Sequence, residues 1–466
     1  MEKINIRNHT REVLADTVTP VGIYLKLREL YPKSVLLEGS DYHGDENSYS
    51  MICLQPMATI TANLSEVKAT LGERNLLKTR VDREGIAPLL STFFNQFQFE
   101  KEIPETQNGF YGYSGYDAVQ YFEDISLQAP RKDASEIPDL QYALYRYVIA
   151  INHFRNVMYI TENRLEDEKP EIDRIETLIR NLSISSGTFA LTGVEKSNCT
   201  DEQYIEMVSR GKKSCYHGDV FQIVLSRQFS QRFTGDDFNV YRVLRSINPS
   251  PYLFYFDYGT HRIFGSSPEI HLRITGNRAF INPIAGTFRR SGNDEQDKKK
   301  SQQLLADTKE TAEHVMLVDL ARNDLSRYGK DVKIEKFREI KYYSHVIHMV
   351  STVSARLKEK TDRIKMFAAT FPAGTLSGAP KYKAMQLIDI YEKQSRGYYG
   401  GAIGYFGTGN SVNHAIMIRT FLSKNNTLFY QAGAGVVARS IEEKELQEVN
   451  NKLAALKTAL KMAEKI

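Results

Sequence analysis

Two Glu-x-x-Glu pairs, Glu310-Thr311-Ala312-Glu313 and Glu445-Leu446-Gln447-Glu448, constrain this chain more than any other feature, because each lies in a segment that reads as helix. Residues three apart on a helix share a face, so each pair presents two carboxylates in one direction. Left apart, each pair is an ordinary solvated helix face. A fold that joins the two faces gathers four carboxylates, which repel unless a divalent cation or a set of basic groups lies between them. Oxygen-only donors of this kind suit magnesium. The residues alone leave both readings open.

At 466 residues the chain has length for two domains or one large composite. Its 61 Lys and Arg against 57 Asp and Glu leave a formal charge of +4, too mild for a nucleic-acid binder and compatible with an anionic small substrate. The three cysteines, Cys53, Cys199 and Cys215, have no paired spacing, which points to reduced thiols and a cytoplasmic setting. The start, Met1-Glu2-Lys3-Ile4-Asn5-Ile6-Arg7, lacks an apolar core, and no eighteen apolar residues run together. Neither secretion nor a membrane span is expected.

Short helical and strand patterns alternate throughout, giving an α+β class. Residues 21–31 and 171–182 have helical spacing, while 34–38 and 48–54 read as strands, and 144–161 reads as two strands joined near Asn156. The polar, aperiodic stretch from Ser183 to Asn198 marks a boundary, placing domains at 1–190 and 195–466. Beyond it, helices are expected at 200–217, 294–323 and 441–463, and strands at 220–225, 252–256, 263–264, 270–274, 402–405, 415–420 and 428–431.

Two glycine-rich segments imitate nucleotide sites. In Gly374-Thr375-Leu376-Ser377-Gly378-Ala379-Pro380-Lys381 the pair Ala379-Pro380 separates the second glycine from the lysine, so it is not a phosphate loop. Gly433-Ala434-Gly435-Val436-Val437-Ala438 fits a dinucleotide fingerprint, but too little chain follows for the rest of that unit. No cysteine has the Gly-x-Cys-x-Gly setting of a glutaminase nucleophile, so ammonia must come free or from a partner.

Several further segments are more specific: Phe221-Gln222-Ile223-Val224-Leu225-Ser226-Arg227, Asn248-Pro249-Ser250-Pro251-Tyr252, Gly265-Ser266-Ser267-Pro268-Glu269, Pro283-Ile284-Ala285-Gly286-Thr287, Glu313-His314 on to Asp319-Leu320-Ala321-Arg322-Asn323-Asp324, and Phe371 through Lys381. With the carboxylates, they closely resemble the anthranilate synthase component I family of chorismate-utilising enzymes. The resemblance spans nearly the whole chain and is strongest from about Gly218 to Asn451. It implies a composite two-domain fold with large antiparallel sheets flanked by helices, with the N-terminal part regulatory and the remainder catalytic. The implied activity is a carbon-oxygen lyase making anthranilate and pyruvate from chorismate and ammonia.

The same resemblance implies the site. Glu313 and Glu448 match direct magnesium ligands, with Glu310 and Glu445 holding metal-bound water. Glu269 matches the acid that helps the C4 hydroxyl leave, and His348 a base near C2. Thr375 in its Gly-rich loop, Gly286, Thr287, Gln222 and Gly433 match substrate-contacting positions, and Tyr399, Arg419 and Gly435 match those that hold the enolpyruvyl carboxylate. Ala285 stands where aminodeoxychorismate synthases have a nucleophilic lysine, and Gln222 where isochorismate synthases have a water-activating lysine. Both substitutions favour ammonia attack at C2. Glu38, Gly39 and Ser40, with Pro249, Ser250, Pro251 and Tyr252, match the two walls of a tryptophan feedback pocket, although Gly39 replaces the family's usual serine. The implied assembly is hetero-oligomeric, with a glutamine amidotransferase subunit, and neither nucleic acid nor membrane is an expected partner. The rivals are isochorismate synthase, aminodeoxychorismate synthase and a catalytically silent tryptophan sensor.

Overall fold

Alternation decides the architecture. In Val35-Leu36-Leu37, Leu36 packs on one side of its strand while Val35 and Leu37 pack on the other, and Leu253 and Tyr255 alternate likewise with Phe254 and Phe256. Strands apolar on both faces belong inside a layered fold. The computed structural model describes residues 3–39, 48–63, 66–80, 85–103, 107–131, 133–184, 187–342, 346–359 and 361–466, and it forms such layers.

One antiparallel sheet runs in the order Phe189–Ser197, Gln222–Gly235, Thr427–Val436, Thr420–Lys424, Arg262–Ser267, Tyr252–Asp257, Val35–Gly39, Tyr49–Asn63, Leu140–Asn152, Val157–Arg164, Ile4–Leu14. A second runs Arg74–Arg80, Glu66–Leu71, Tyr49–Asn63, Leu140–Asn152, Gly109–Ser114, Ala402–Gly407, Val412–Ile416, Ile270–Thr275. It continues through Arg278–Ile281 and Ile284–Arg289 to Val346–Leu357 and Gly329–Tyr342. The long pair Tyr49–Asn63 and Leu140–Asn152 belongs to both. A register shift between Pro56 and Ala58 marks where it passes from one sheet to the other.

Between the sheets lies an aromatic layer that includes Tyr111, Tyr113, Tyr145, Phe254, Phe256 and Tyr405. Helices cover the outer faces. Asp201–His217, Phe238–Ile247, Lys381–Glu392 and Glu442–Ala463 pack on the first sheet, and Ile86–Asn95, Thr308–Ser326 and Arg363–Thr370 on the second. The boundary expected near residues 190–195 falls inside the strand Phe189–Ser197, and chain from both sides of it enters both sheets.

Two expected elements are corrected. The strand expected at 415–420 is the end of Val412–Ile416 and the start of Thr420–Lys424, with the chain changing sheets between them. Residues 294–323 are two helices, Asp294–Ala306 and Thr308–Ser326, because the Asp307 carboxylate accepts the N–H groups of Lys309 and Glu310 at 2.8 and 3.0 Å and starts a new helix. The hairpin of Gly329–Tyr342 and Val346–Leu357 was not anticipated, although the apolar run Val346-Ile347-His348-Met349-Val350 carries its signal.

Candidate functional site

The chain crosses between sheets twice at one place. Glu269 lies where it leaves Arg262–Ser267 of the first sheet for Ile270–Thr275 of the second, and Arg419 where it returns from Val412–Ile416 to Thr420–Lys424. The crossings are tied together by Ile416 N–H donating to the Glu269 carbonyl at 3.0 Å and Ser266 N–H to the Arg419 carbonyl at 3.1 Å. Arg419 holds φ +50, the left-handed region that suits a chain reversing within two residues. Only 7% of Glu269 is exposed. Burial pushes its carboxyl up to about 8, against the opposing pull of the Thr375 hydroxyl and of the Lys452 and Arg419 cations. At neutral pH it is a protonated acid.

His348 enters from the adjoining ladder. Its strand pairs with Ile284–Arg289 so that His348 stands opposite Thr287, with a register shift between Ala285 and Thr287. Gly286 forms that bulge at φ +69, and a Cβ there would stand 2.6 Å from Leu304 Cδ1 and 3.1 Å from Glu310 Oε2. The bulge therefore abuts the first glutamate pair. His348 Nδ1 lies 3.1 Å from the Gly286 carbonyl, which assigns the ring proton to Nδ1 and leaves Nε2 as the basic nitrogen. Burial and the Arg419 cation push this imidazole down to about 4, so it is neutral at pH 7.

Both glutamate pairs open their helices. Glu310 is in the first turn of Thr308–Ser326 and Glu445 in that of Glu442–Ala463, where the positive ends of the helix dipoles favour anions. Their electrostatics show that the pairs converge. The Glu310 carboxyl is raised by burial and by Glu313, with Glu448 contributing, and Glu445 is raised by burial with Glu448 again adding. Glu313 accepts from Gln222 Nε2 at 2.9 Å. A Cβ on Gly435 would collide with that same nitrogen and stand 3.6 Å from Glu313 Oε1. Glu448 pairs with Lys452 at 2.7 Å, and Lys452 donates to the Gly433 carbonyl at 2.9 Å. Among the described residues no three acidic, histidine or cysteine side chains form a ready ligand cluster. The all-carboxylate donor set nonetheless fits a hard divalent cation that keeps part of its water, since it offers only oxygen donors whose charges act on one another.

Tyr399 is buried, with the Arg396 guanidinium 5.8 Å from its ring centre. Thr375 is the second residue of the short helix Gly374–Ser377, in place of an open loop. Ala285 is buried and pairs across the ladder with Met349. Sequence reading missed a buried ion pair behind these groups. Lys381 Nζ donates to Asp324 Oδ2 at 2.7 Å and to the Thr370 carbonyl at 3.0 Å, joining helix Thr308–Ser326 to the segment that carries Thr375. Its signal was present in the Asp319–Asp324 and Phe371–Lys381 motifs. Of Thr287 the structure gives the backbone position alone.

The two segments expected to bind an effector are neighbouring strands, with Gly39 opposite Tyr252 and Glu38 opposite Leu253. Glu38 is buried and accepts from Arg245 Nε at 2.9 and 3.1 Å and from the Tyr241 hydroxyl. A Cβ on Gly39 would sit 2.8 Å from the Tyr49 carbonyl oxygen, which gives a steric reason for glycine there. Pro249, buried Ser250 and Pro251 join helix Phe238–Ile247 to strand Tyr252–Asp257. Ser40 lies outside the described residues.

A sequence profile described as chorismate binding enzyme matches residues 35–458. The chain belongs to the chorismate-binding enzyme family. Within this family it is 38% identical to anthranilate synthase component 1 of Aquifex aeolicus, over 99% of this chain and 96% of that one. It is 37% identical to the protein of the same name from Neisseria meningitidis serogroup B, over 97% and 95%. The solved structure of anthranilate synthase component I from Streptococcus pneumoniae superposes with a TM-score of 0.78 at 32% identity, covering 88% of this chain and 92% of that one. A menaquinone-specific isochorismate synthase from Escherichia coli superposes at 0.75 with 18% identity, covering 98% and 95%, and shares the fold.

Proposed function

We propose that this chain is the large component of an anthranilate synthase, converting chorismate and ammonia to anthranilate and pyruvate. The observation that carries this choice of reaction is the pairing of Gln222 with Glu313 together with a buried Ala285: neither position offers an amine for nucleophilic attack or for activating water.

Glu313 and Glu448 would hold magnesium, with Glu310 and Glu445 orienting its water. When bound, the metal would fix and neutralise the ring carboxylate of chorismate. The remaining work falls to the chain. Protonated Glu269 gives its proton to the C4 hydroxyl, which leaves as water while the ammonia nitrogen attacks C2. Arg419 and Tyr399 orient the enolpyruvyl carboxylate, and the Gly286, Thr287, Thr375, Gly433 and Gly435 backbones shape the cavity around the ring. Neutral His348 takes the C2 proton as the enolpyruvyl group departs and becomes pyruvate. A glutamine amidotransferase subunit would supply the ammonia, and the cytoplasm is the expected setting.

Incubation of the purified chain with chorismate, magnesium salt and ammonium should give fluorescent anthranilate, and omission of magnesium or ammonium should stop it. Isochorismate, formed without ammonium, or an aminodeoxychorismate product would refute the assignment.

We further propose a tryptophan feedback site with one wall at Glu38 and Gly39 of residues 1–190 and the other at Pro249–Tyr252 of the catalytic part at 195–466. The adjacency of Gly39 and Tyr252 supports it. Because the chain contains no tryptophan, the fluorescence of an added tryptophan can be followed directly against a tyrosine background. A saturable blue shift with parallel loss of activity is expected, and an unshifted spectrum up to millimolar effector would remove the site.

A further inference from the structure

Glu269 faces a second space. A cavity of about 30 Å³, above the roughly 10–15 Å³ that one buried water requires, is lined by Glu269 and Asp324, with Thr375, His271, Thr370 and Ala321 also in its wall. Gln222, Gly286, His348, Tyr399, Arg419 and Gly435 are absent from the lining, so the cavity meets the proposed substrate space at Glu269 and Thr375 and extends away from it. It follows helix Thr308–Ser326 away from Glu310 and Glu313 toward the helix's far end, where Asp324 meets Lys381. Its polar wall is connected: His271 Nε2 stands 3.3 Å from Thr370 Oγ1, and Lys381 bonds both Asp324 and the Thr370 carbonyl.

We propose that this cavity holds the water through which Glu269 regains its proton after each turnover. The inference rests on the reading of Glu269 as the acid. Each turnover moves one proton from Glu269 to the departing C4 oxygen, leaving a carboxylate in a buried position. Product on the substrate side blocks return from there. On the cavity side a water donates its proton to Glu269 and is itself reprotonated from solvent, so nothing else is consumed. The groups facing Glu269 are the Thr375 hydroxyl and the Arg419 and Lys452 cations. The cavity wall adds Asp324, held by Lys381, and His271, which burial pushes down to about 3 and keeps neutral.

Ala321→Met puts a longer apolar chain into the space from a residue that is not among the proposed substrate groups. Slower regeneration of the acid lowers kcat and spares substrate capture, so kcat should fall about tenfold while kcat/KM for chorismate stays within about twofold. Distortion of the site would lower both together. An unchanged kcat, or kcat/KM falling in step with it, overturns the proposal. Should A321M fail to fold, A321V carries the same test with a loss of about threefold. Glu269→Gln separates the two claims: retained turnover in E269Q removes the acid reading itself, whereas an inactive E269Q with an unaffected A321M removes the cavity's role alone.

Discussion

A carboxyl that is protonated at neutral pH is costly to keep, and Glu269 shows how the fold does it. Burial raises it from its usual 4.5 to about 8 despite two nearby cations. His348 is shifted the other way, to about 4. Opposite shifts in neighbouring groups separate an acid from a base. The active form carries protonated Glu269 and neutral His348, so kcat/KM should be flat between these values, falling as pH drops through about 4 and as it rises through about 8. A pH–rate profile flat to pH 10 would contradict the acid role. Stability follows the same proton. Between pH 4.5 and about 8 the native state holds a proton at Glu269 that the unfolded chain releases, so this group's contribution to stability declines as pH rises through that window. Glu269→Gln removes the ionisation, so E269Q should be inactive yet, at pH 9, more stable than wild type by about 2–4 kcal/mol in denaturant titrations. The difference should vanish near pH 4.

At the scale of elements, the break at Asp307 aims the first glutamate pair. A continuous helix from 294 onward would leave Glu310 in its interior, far from any dipole end, whereas the cap opens a fresh N-terminus with Glu310 in its first turn. Asp307→Ala removes the carboxylate oxygen that accepts two first-turn N–H groups and should cost about 1 kcal/mol of stability. It should also weaken magnesium, read as a several-fold rise in the metal concentration needed for half-maximal activity. A D307A enzyme with unaltered magnesium dependence would show that the cap does not position Glu310. The cap was legible in the sequence as Asp307-Thr308, a capping residue followed by a helix start, but helical periodicity runs through it and concealed the joint. The strand ends that carry Glu269 and Arg419 were legible only as strand ends. Their meeting depends on two crossings between sheets, and no local pattern encodes that.

At the scale of the whole molecule, the identities of the site residues were legible while their proximity was not. Local alternation announces Val35–Gly39 and Tyr252–Asp257 as strands, yet their pairing joins segments far apart in the chain. Gly109–Ser114 and Ala402–Gly407 are joined in the same way, and the interleaved glycines of Gly109-Phe110-Tyr111-Gly112 serve close strand approach: a Cβ on Gly109 would collide with Phe406 backbone of this partner, and one on Gly112 with Gln141 backbone of the strand on its other side. These pairings determine what can be cut apart. A chain of residues 195–466 alone keeps the residues proposed for catalysis but loses the partner of Tyr252–Asp257 and the partner of Ala402–Gly407. It bares Phe254, Phe256, Ile403 and Tyr405, now packed in the layer between the sheets. Exposed apolar edges of that kind pair with other chains. The fragment should therefore be insoluble or aggregated when expressed alone, and co-expression with residues 1–194 should restore a soluble complex that turns over chorismate. A monomeric, cooperatively unfolding fragment of 195–466 with activity of its own would mean that the shared sheets are dispensable for building the site.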